Sequence, residues 1–447
     1  MKLWNDAAAM SRSTSVVCAA LVGLACGQPV PQPPSVILIV LDTVRADHLS
    51  LYGYKRDTMP RLASWAETGT VFENAFSAGA WTLPGVGSIL TGKYAAQHGA
   101  GVSGPSRLHD DVPTLAEILR ANGYATGAIA NVSFLDPAFG LNRGFEFYAF
   151  DPAGDESGTG RADVSVDLAL GWLDGRTEPY FFMLHLFDAH RYYDAPEPAR
   201  GAFTSAYADG YDPETLATLE SRVEAERRGD LDFHVAAYDE ELLWLDMQID
   251  RFLTVLAGQG SLDNSLVLLT ADHGEAFREH HSIGHGGCLH SEIMRVPLVL
   301  WEPGRGGRGR SAVPVSTVDI LPTVLEYAAV EPLEGAGISL RGVLHGEKPE
   351  PRAIFAQNRF YSTDLTALIQ WPLKLIQDHK HQFRMLYDLQ GDPGETRNMW
   401  DPGDPTVVRI VNSMRREVRA IRQGRAGRDV EMSPEGVERL RALGYVQ

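Results

Sequence analysis

The stretch Ser35-Val36-Ile37-Leu38-Ile39-Val40-Leu41, followed directly by Asp42-Thr43, decides the fold class. A continuous apolar run rich in β-branched residues is typical of a strand covered on both faces in a mostly parallel sheet. Three further runs have this character and also end in polar residues: 124–130 before Asn131, 180–186 before Asp188 and His190, and 265–270 before Asp272 and His273. Helical patterns separate these runs, so the sequence predicts an α/β fold with a mostly parallel sheet sandwiched by helices.

These four strand ends predict a functional site. In open α/β sheets, ligands lie beyond the carboxyl ends of the strands. A single Asp after a strand is more often a helix cap or a turn residue, but four polar endings in one sheet indicate a shared site. Asp272 and His273, followed by Gly274, can bring a carboxylate and an imidazole to one cation.

A hydroxyl group is presented by the segment Ala80-Trp81-Thr82-Leu83-Pro84-Gly85-Val86-Gly87. Pro84 fixes its own φ, and the glycines permit a close backbone approach before a helix. The Thr82 oxygen is then near a helix N-terminus, where free N–H groups and the helix dipole favour anions. The alternative is an ordinary loop in which Thr82 is the N-cap of the helix.

The charge composition excludes one class of partner. The 447-residue chain has 58 acidic and 40 basic residues and a formal net charge of −18. This balance argues against a nucleic-acid-binding surface and against long-range attraction of polyanions. The three cysteines, Cys18, Cys26 and Cys288, imply no disulfide framework.

The first 34 residues have the pattern of an export leader and tether. A short uncharged apolar run over 16–25 is too short to span a membrane and is typical of a signal peptide. It ends at Cys26 in a sequence close to a bacterial lipoprotein cleavage site. We therefore expect a secreted or periplasmic protein that is tethered to the membrane through lipidated Cys26; simple secretion after cleavage nearby is the alternative.

Three segments follow from the composition along the chain. Residues 1–34 form the leader and a proline-rich tether, 35–335 a catalytic domain, and 336–447 a smaller C-terminal α+β subdomain. The polar and aromatic stretch 196–232 is interpreted as an insertion or lid.

The chain resembles the sulfatase family of the alkaline phosphatase superfamily over almost all of the residues after the leader. The segments that carry the resemblance are 40–47 (VLDTVRAD), 82–94 (TLPGVGSILTGKY), 187–190 (FDAH), 270–275 (TADHGE), 295–298 (RVPL), 386–389 (LYDL) and the closing 440–446 (LRALGYV). The resemblance implies an alkaline-phosphatase-like fold and a hydrolase of sulfuric or phosphoric esters.

The resemblance also implies a metal site. Asp42, Asp272 and His273 are the implied ligands of one divalent cation, and Thr82 is the implied nucleophile and a further ligand. Metal coordination would lower the pKa of the Thr82 hydroxyl and screen the charge of the substrate. Ca2+ or Mn2+ is the cation that the resemblance favours, with Zn2+ as a third choice.

Further residues fall on family positions that contact the substrate. His190 is at the position that assists the leaving-group oxygen as a general acid or oxyanion stabiliser. Asn131, Asp188 and His285 fall on substrate-binding positions. The alternative is that Asp188, His190 and His285 hold a second metal ion, as in two-zinc relatives.

The nucleophile position departs from the family pattern. True sulfatases carry Cys or Ser in a C-x-P-S-R pattern and convert it to formylglycine, whereas this chain has Thr82, Gly85 and Val86 at the corresponding positions. Threonine cannot form that aldehyde because its Cβ carries a methyl group, so no formylglycine is expected. Thr43 replaces the second acid of the family's Asp-Asp pair, and His285 replaces a lysine.

These departures favour phosphorus chemistry without excluding sulfate. An unmodified threonine must lose the transferred group to attack by water. A weakly cationic pocket suits a singly charged diester, because each lost charge-assisted contact costs about 1.5 to 3 kcal/mol. We expect a metal-dependent hydrolase of small-molecule, glycan or lipid esters. A phosphoethanolamine-type transferase and a non-catalytic binding protein on the same scaffold are the alternatives.

Overall fold

The computed structural model describes residues 32–150, 161–207, 231–304, 309–335, 337–360, 363–422 and 428–430, and the single positions 434, 437, 438 and 441. Contacts divide the chain into Met1–Gln32 and Pro33–Gln447, and the fold below belongs to the second unit. The leader with Cys26, the core of the predicted insertion (208–230) and the end of the closing motif lie outside the described residues. Within the part that is described, no helix has the length and apolar character of a membrane span.

The strands of the described residues are β1 Ser35–Leu41, β2 Thr70–Phe72, β3 Ala75–Phe76, β4 Ser106–Arg107, β5 Ala125–Ala130, β6 Phe147–Phe150, β7 Tyr180–Leu186, β8 Ser265–Ala271, β9 Ala276–Phe277, β10 Ile283–Gly284, β11 Leu298–Trp301, β12 Gly309–Ser311, β13 Val315–Ser316, β14 Ile354–Asn358, β15 Leu365–Gln370, β16 Leu373–Asp378, β17 Phe383–Asp388 and β18 Arg428–Asp429.

The α-helices are α1 Pro60–Ala66, α2 Thr82–Thr91, α3 Ala95–His98, α4 Leu115–Ala121, α5 Ala162–Leu173, α6 Leu231–Gly258, α7 Ser291–Met294, α8 Ile320–Tyr327, α9 Arg341–Leu344 and α10 Pro405–Arg422. Short 3-10 helices span Ala46–His48, Ser50–Tyr52, Ser133–Leu135, Pro137–Phe139, Thr204–Tyr207 and Thr317–Asp319.

The central sheet has the strand order β12-β2-β11-β8-β1-β7-β5-β6. Strands β8, β1, β7, β5 and β6 are parallel, whereas β11 is antiparallel to both of its neighbours. The predicted α/β class is confirmed. The four strands predicted to end in polar residues are the neighbours β8, β1, β7 and β5, so their carboxyl ends meet at one edge.

Helices flank this sheet and bury apolar faces. Helix α6 packs against α1 and α5, and α5 packs against β5 and β7. The apolar positions of α6 recur at helical spacing, and five of them are buried: Leu242, Leu245, Ile249, Phe252 and Leu256. This spacing alone predicts a helix from Tyr238 onward, and the observed helix begins seven residues earlier, at Leu231.

The C-terminal segment forms a separate antiparallel sheet in the order β14-β15-β16-β17, with α10 packed against β15. The short apolar runs 354–356, 373–376 and 385–389 predict strands β14, β16 and β17, whereas β15 was not predicted. Glu395 links this sheet to the preceding segment, because it accepts a hydrogen bond from the Ser291 N–H at 2.5 Å. Glu395 also forms an ion pair of 2.9 Å with Lys374, and both side chains are completely buried. The proposed domain limits at 335 and 336 stay a prediction.

Candidate active site

Two carboxylates meet where β1 and β8 end. Asp42 follows β1, and its backbone N–H donates to the Leu186 carbonyl oxygen of β7 at 2.9 Å. Asp272 follows β8, and its N–H donates to the Leu41 carbonyl oxygen at 3.3 Å. Both side chains are completely buried. The parallel register therefore places two acids side by side inside the protein.

Helix α2 directs the Thr82 hydroxyl at these acids. Trp81, in extended backbone with φ −163°, is the N-cap and makes no side-chain cap, so Thr82 is the first helical residue and not the N-cap. Thr82 Oγ1 donates to Asp42 Oδ2 at 3.3 Å. The hydroxyl thus lies at the anion-favouring end of a buried helix.

Close packing holds the start of this helix against the end of β8. A Cβ atom added to Gly85 would lie 2.6 Å from the Asp272 carbonyl oxygen. The Ser77 hydroxyl donates to the same oxygen. Glycine at position 85 therefore permits the approach of α2 to the strand end that carries Asp272.

His273 presents a ring nitrogen to the same point. Its Nδ1 lies 2.9 Å from the Gly274 carbonyl oxygen, which can only accept, so Nδ1 carries the proton and Nε2 the lone pair. Nε2 lies 3.5 Å from Thr82 Oγ1. It lies 3.7 Å from Asp42 Oδ1 and 3.5 Å from Asp272 Oδ2. Burial lowers the pKa of His273 to about 4, so the ring is neutral at neutral pH.

The two acids titrate in opposite directions. Burial and the adjacent Asp42 carboxylate raise the pKa of Asp272 well above its ordinary value. Burial also acts to raise the pKa of Asp42, but the surrounding imidazoles, His185 first, outweigh it and hold that pKa below its usual range. A cation bound between the carboxylates would remove their repulsion and release the proton.

The donor set fits a divalent metal ion. Asp42 Oδ1 and Asp272 Oδ2 are buried and have no hydrogen-bond partner among the described residues. Uncompensated buried carboxylate oxygens are costly, and metal coordination is one of the ways in which proteins satisfy them. Asp42, Asp272 and His185 each offer one ligand atom, and these atoms lie within 4.8 Å of one another.

His190 and His285 extend the site from His273. The ring centroids of His273 and His285 are 4.5 Å apart, and those of His285 and His190 are 5.0 Å apart. His190 Nδ1 lies 2.7 Å from the Arg191 carbonyl oxygen, so the neutral ring carries its lone pair on Nε2. Burial lowers the pKa of His190 to about 4.

Glu275, which the sequence reasoning did not single out, holds His285. Glu275 Oε2 lies 3.2 Å from His285 Nδ1, and the Glu275 side chain is completely buried. Burial raises the pKa of this carboxyl to about 7. Glu275 follows Asp272 by only three residues, and this closeness in sequence could have identified it as a site residue.

Asn131 and Asp188 make contacts within the scaffold. The Asn131 amide donates to the His185 carbonyl oxygen and accepts from Ser165 Oγ at 3.2 Å, which ties β5 to β7 and α5. Asp188 Oδ1 accepts from the Ala162 N–H at the start of α5 at 2.9 Å and from Trp244 Nε1 at 3.0 Å. The roles predicted for Asn131 and Asp188 in substrate binding stay predictions.

The site residue that the sequence reasoning missed on a strand is His185. It is the penultimate residue of β7 and is completely buried. It lies within the apolar run 180–186, where a single histidine is typical of a core residue. Its pairing with Val40 in the register of β1 and β7 places it next to the strand end that carries Asp42.

Comparisons with known proteins agree with this architecture. A family model described as Sulfatase matches residues 34–330. The chain is 26% identical to human arylsulfatase A over 85% of this chain and 86% of that protein. It is 24% identical to the multifunctional alkaline phosphatase superfamily protein PehA of Trinickia caryophylli over 90% of this chain and 98% of that protein.

A solved structure gives the same result at the level of the fold. The phosphonate monoester hydrolase of Agrobacterium radiobacter superposes with a TM-score of 0.68 at 20% identity, covering 87% of this chain and 95% of that chain. The fold class predicted from the motifs is thereby confirmed.

Proposed function

Because this chain belongs to the sulfatase family and is a sulfatase-like ester hydrolase, we propose that it hydrolyses singly charged phosphorus esters, phosphodiesters or phosphonate monoesters, with Thr82 as the nucleophile. The observation that carries the proposal is the buried contact of 3.3 Å between Thr82 Oγ1 and Asp42 Oδ2. Sulfate esters are the second candidate substrates, since arylsulfatase A is among the relatives.

We propose that Asp42, Thr82, Asp272 and His273 hold one divalent metal ion. The uncompensated carboxylate oxygens of Asp42 and Asp272 and the lone pair of His273 Nε2 support this ligand set. When bound, such an ion supplies positive charge that stabilises the alkoxide of the nucleophile and the charge of the substrate.

Two half-reactions account for the chemistry. In the first, Thr82 Oγ1, whose proton has passed to solvent, forms a bond to phosphorus, while the ester oxygen leaves with the bonding electrons and takes a proton from His190 Nε2. In the second, water attacks phosphorus, its proton returns to His190 Nε2, and Thr82 leaves as the alkoxide in which it began the cycle. A bound anion stabilises protonated His190 and raises its pKa from about 4, as the first half-reaction requires.

The identity of the nucleophile supports phosphorus over sulfur. Formylglycine releases sulfate when its hemiacetal collapses, and Thr82 cannot form that aldehyde because of its methyl group. A threonine that carries the transferred group must be freed by attack of water on the central atom. The relation to PehA, a multifunctional protein of the superfamily, is compatible with more than one ester class.

Export is part of the proposal. The leader and its apolar run predict a secreted or periplasmic enzyme, lipid-anchored through Cys26. An enzyme in that place meets small-molecule, glycan or lipid esters, and the net charge of −18 disfavours nucleic acid.

A substrate panel with matched variants tests the function. We expect turnover of bis-p-nitrophenyl phosphate and p-nitrophenyl phenylphosphonate to exceed that of p-nitrophenyl sulfate and phosphate. Thr82→Ala should lower kcat by about a thousandfold or more. Thr91→Ala is the control, because it removes a buried hydroxyl from the other end of the same helix.

Three outcomes separate the alternatives. Turnover that persists in Thr82→Ala excludes Thr82 as nucleophile. Transfer to an added alcohol in preference to water favours the transferase. A protein that binds these esters without turning over any of them favours the non-catalytic scaffold.

A further inference from the structure

The side chain of His185, near the carboxyl end of β7, is a buried polar group that packing alone does not explain. It is completely buried, and neither Nδ1 nor Nε2 has a hydrogen-bond partner within the part of the chain that the structure describes. Leaving a buried donor or acceptor unsatisfied costs about 1 to 3 kcal/mol per group. A histidine kept there for packing alone would be a poor choice compared with an apolar residue.

The ring of His185 lies beside the carboxylates of the site. Its Nε2 is 3.4 Å from Asp42 Oδ2. One ring nitrogen and one oxygen from each of Asp42 and Asp272 lie within 4.8 Å of one another. Three residues with unsatisfied buried atoms therefore converge on a space of the size that a single cation occupies.

Thr43, the residue after Asp42, does not supply an oxygen ligand to this space. Thr43 is at the position of the family's second acid, and its hydroxyl donates to the carbonyl oxygens of Asp42 and Ala189, each at 2.7 Å. Its φ of 58° is in the left-handed region, which is strained for a β-branched residue. The side chain that would supply an oxygen ligand is thus bound to the backbone.

We propose that His185 is a metal ligand that takes the place of the missing second carboxylate and that the site selects Zn2+ over Ca2+. The inference rests on the metal dependence proposed above. The donor set becomes two carboxylates, two imidazoles and the Thr82 hydroxyl. Ca2+ takes six to eight oxygen ligands, whereas imidazole nitrogen suits zinc and similar ions. The preference for Ca2+ implied by the resemblance is therefore replaced by a preference for Zn2+.

Metal analysis and X-ray absorption test the proposal without using activity. The full-length protein is stripped of metal, dialysed against equal concentrations of Zn2+ and Ca2+, and analysed for both. We expect wild type to retain about one Zn2+ per chain, with zinc-edge absorption fitting two imidazole ligands. In His185→Gln we expect one imidazole and zinc affinity reduced by about tenfold or more.

Matched variants distinguish the loss of a metal ligand from the loss of the fold. His98→Gln is the control, because His98 is also completely buried but hydrogen-bonds to Ser88 and lies in α3, outside the site. Thermal unfolding with and without Zn2+ is followed in parallel, and zinc should raise the Tm of wild type and of His98→Gln more than that of His185→Gln. If His185→Gln does not fold, His185→Phe is used, since it keeps the ring volume and removes both nitrogens.

The outcomes distinguish this inference from the proposed function. One imidazole in wild type, Ca2+ retained in preference to Zn2+, or equal zinc affinity in wild type and His185→Gln would each overturn the assignment of His185. None of these results bears on the role of Thr82 as nucleophile, which is tested separately by the turnover of Thr82→Ala.

Discussion

The Asp188 carboxyl carries a buried charge whose removal should stabilise the protein at alkaline pH. Its Oδ1 accepts hydrogen bonds from the Ala162 N–H and Trp244 Nε1. Its Oδ2 is buried and has no partner among the described residues. In Asp188→Asn the amide oxygen can keep both bonds of Oδ1, and the uncharged amide replaces the carboxylate.

The magnitude follows from the titration of this carboxyl. Burial raises the pKa of Asp188 from 3.8 to about 7. A raised folded-state pKa means that the stability is greatest below the unfolded-state pKa and is lost as pH rises through the folded-state pKa. The full cost of ionising the buried group is about 4 kcal/mol. At about pH 5 the unfolded chain has already ionised this carboxyl while the folded chain keeps it protonated, so Asp188→Asn should gain about 1.5 kcal/mol there and about 4 kcal/mol near pH 8.5.

Urea unfolding from about pH 5 to about pH 8.5 measures this difference. Asp188→Ala is the control, because it also removes the charge but loses the bonds to α5 and Trp244 and should be less stable than Asp188→Asn throughout. A stability difference between wild type and Asp188→Asn that does not change with pH would refute the reasoning. The same variant separates the two roles of Asp188: an unchanged KM fits a scaffold residue, and a raised KM fits the predicted substrate contact.

Three further predictions concern packing, proton transfer and the C-terminal sheet. Gly85→Ser should lower the free energy of unfolding by about 1 to 3 kcal/mol, because its Cβ meets the Asp272 carbonyl oxygen; unchanged urea midpoints would contradict this. His190→Gln should reduce kcat by about a hundredfold or more, with a smaller loss for substrates whose leaving group has a low pKa; equal losses for all leaving groups would exclude protonation by His190. Lys374→Met should cost about 3 to 5 kcal/mol, because it leaves Glu395 buried without its ion-pair partner, and Lys374→Met with Glu395→Gln should recover part of the loss in the same urea assay.

The central sheet was predictable, and so was the edge at which the candidate site lies, because both follow from local sequence patterns. Continuous apolar runs identify strands that are covered on both faces, and parallel strands place their last residues at the same edge. Asp42 and Asp272 follow two such runs directly, so their proximity required only that β1 and β8 be neighbours. Thr82 was predictable as a residue near a helix start because proline and glycine follow it.

Contacts that depend on tertiary packing were not predictable. His185 lies in an apolar strand, and its unsatisfied nitrogens become visible only when Asp42 is placed beside it. The contact of Asp188 with Trp244 joins the segment that follows β7 to α6, and no pattern along the chain signals it. Strand β15 has a mixed composition, and its pairing with β14 and β16 decides its conformation.

The contact between Gly85 and the Asp272 carbonyl oxygen also limits how this protein can be redesigned. Sulfatases that form formylglycine resemble one another in a Cys-x-Pro-Ser-Arg segment, and a serine at position 85 would place its Cβ 2.6 Å from that oxygen. Thr82→Cys alone would therefore yield a free thiol without the recognition segment, and Gly85→Ser would disturb the end of β8 that carries Asp272. Conversion into an aldehyde-dependent sulfatase requires simultaneous changes in α2 and at the end of β8, so libraries of single substitutions should not contain it.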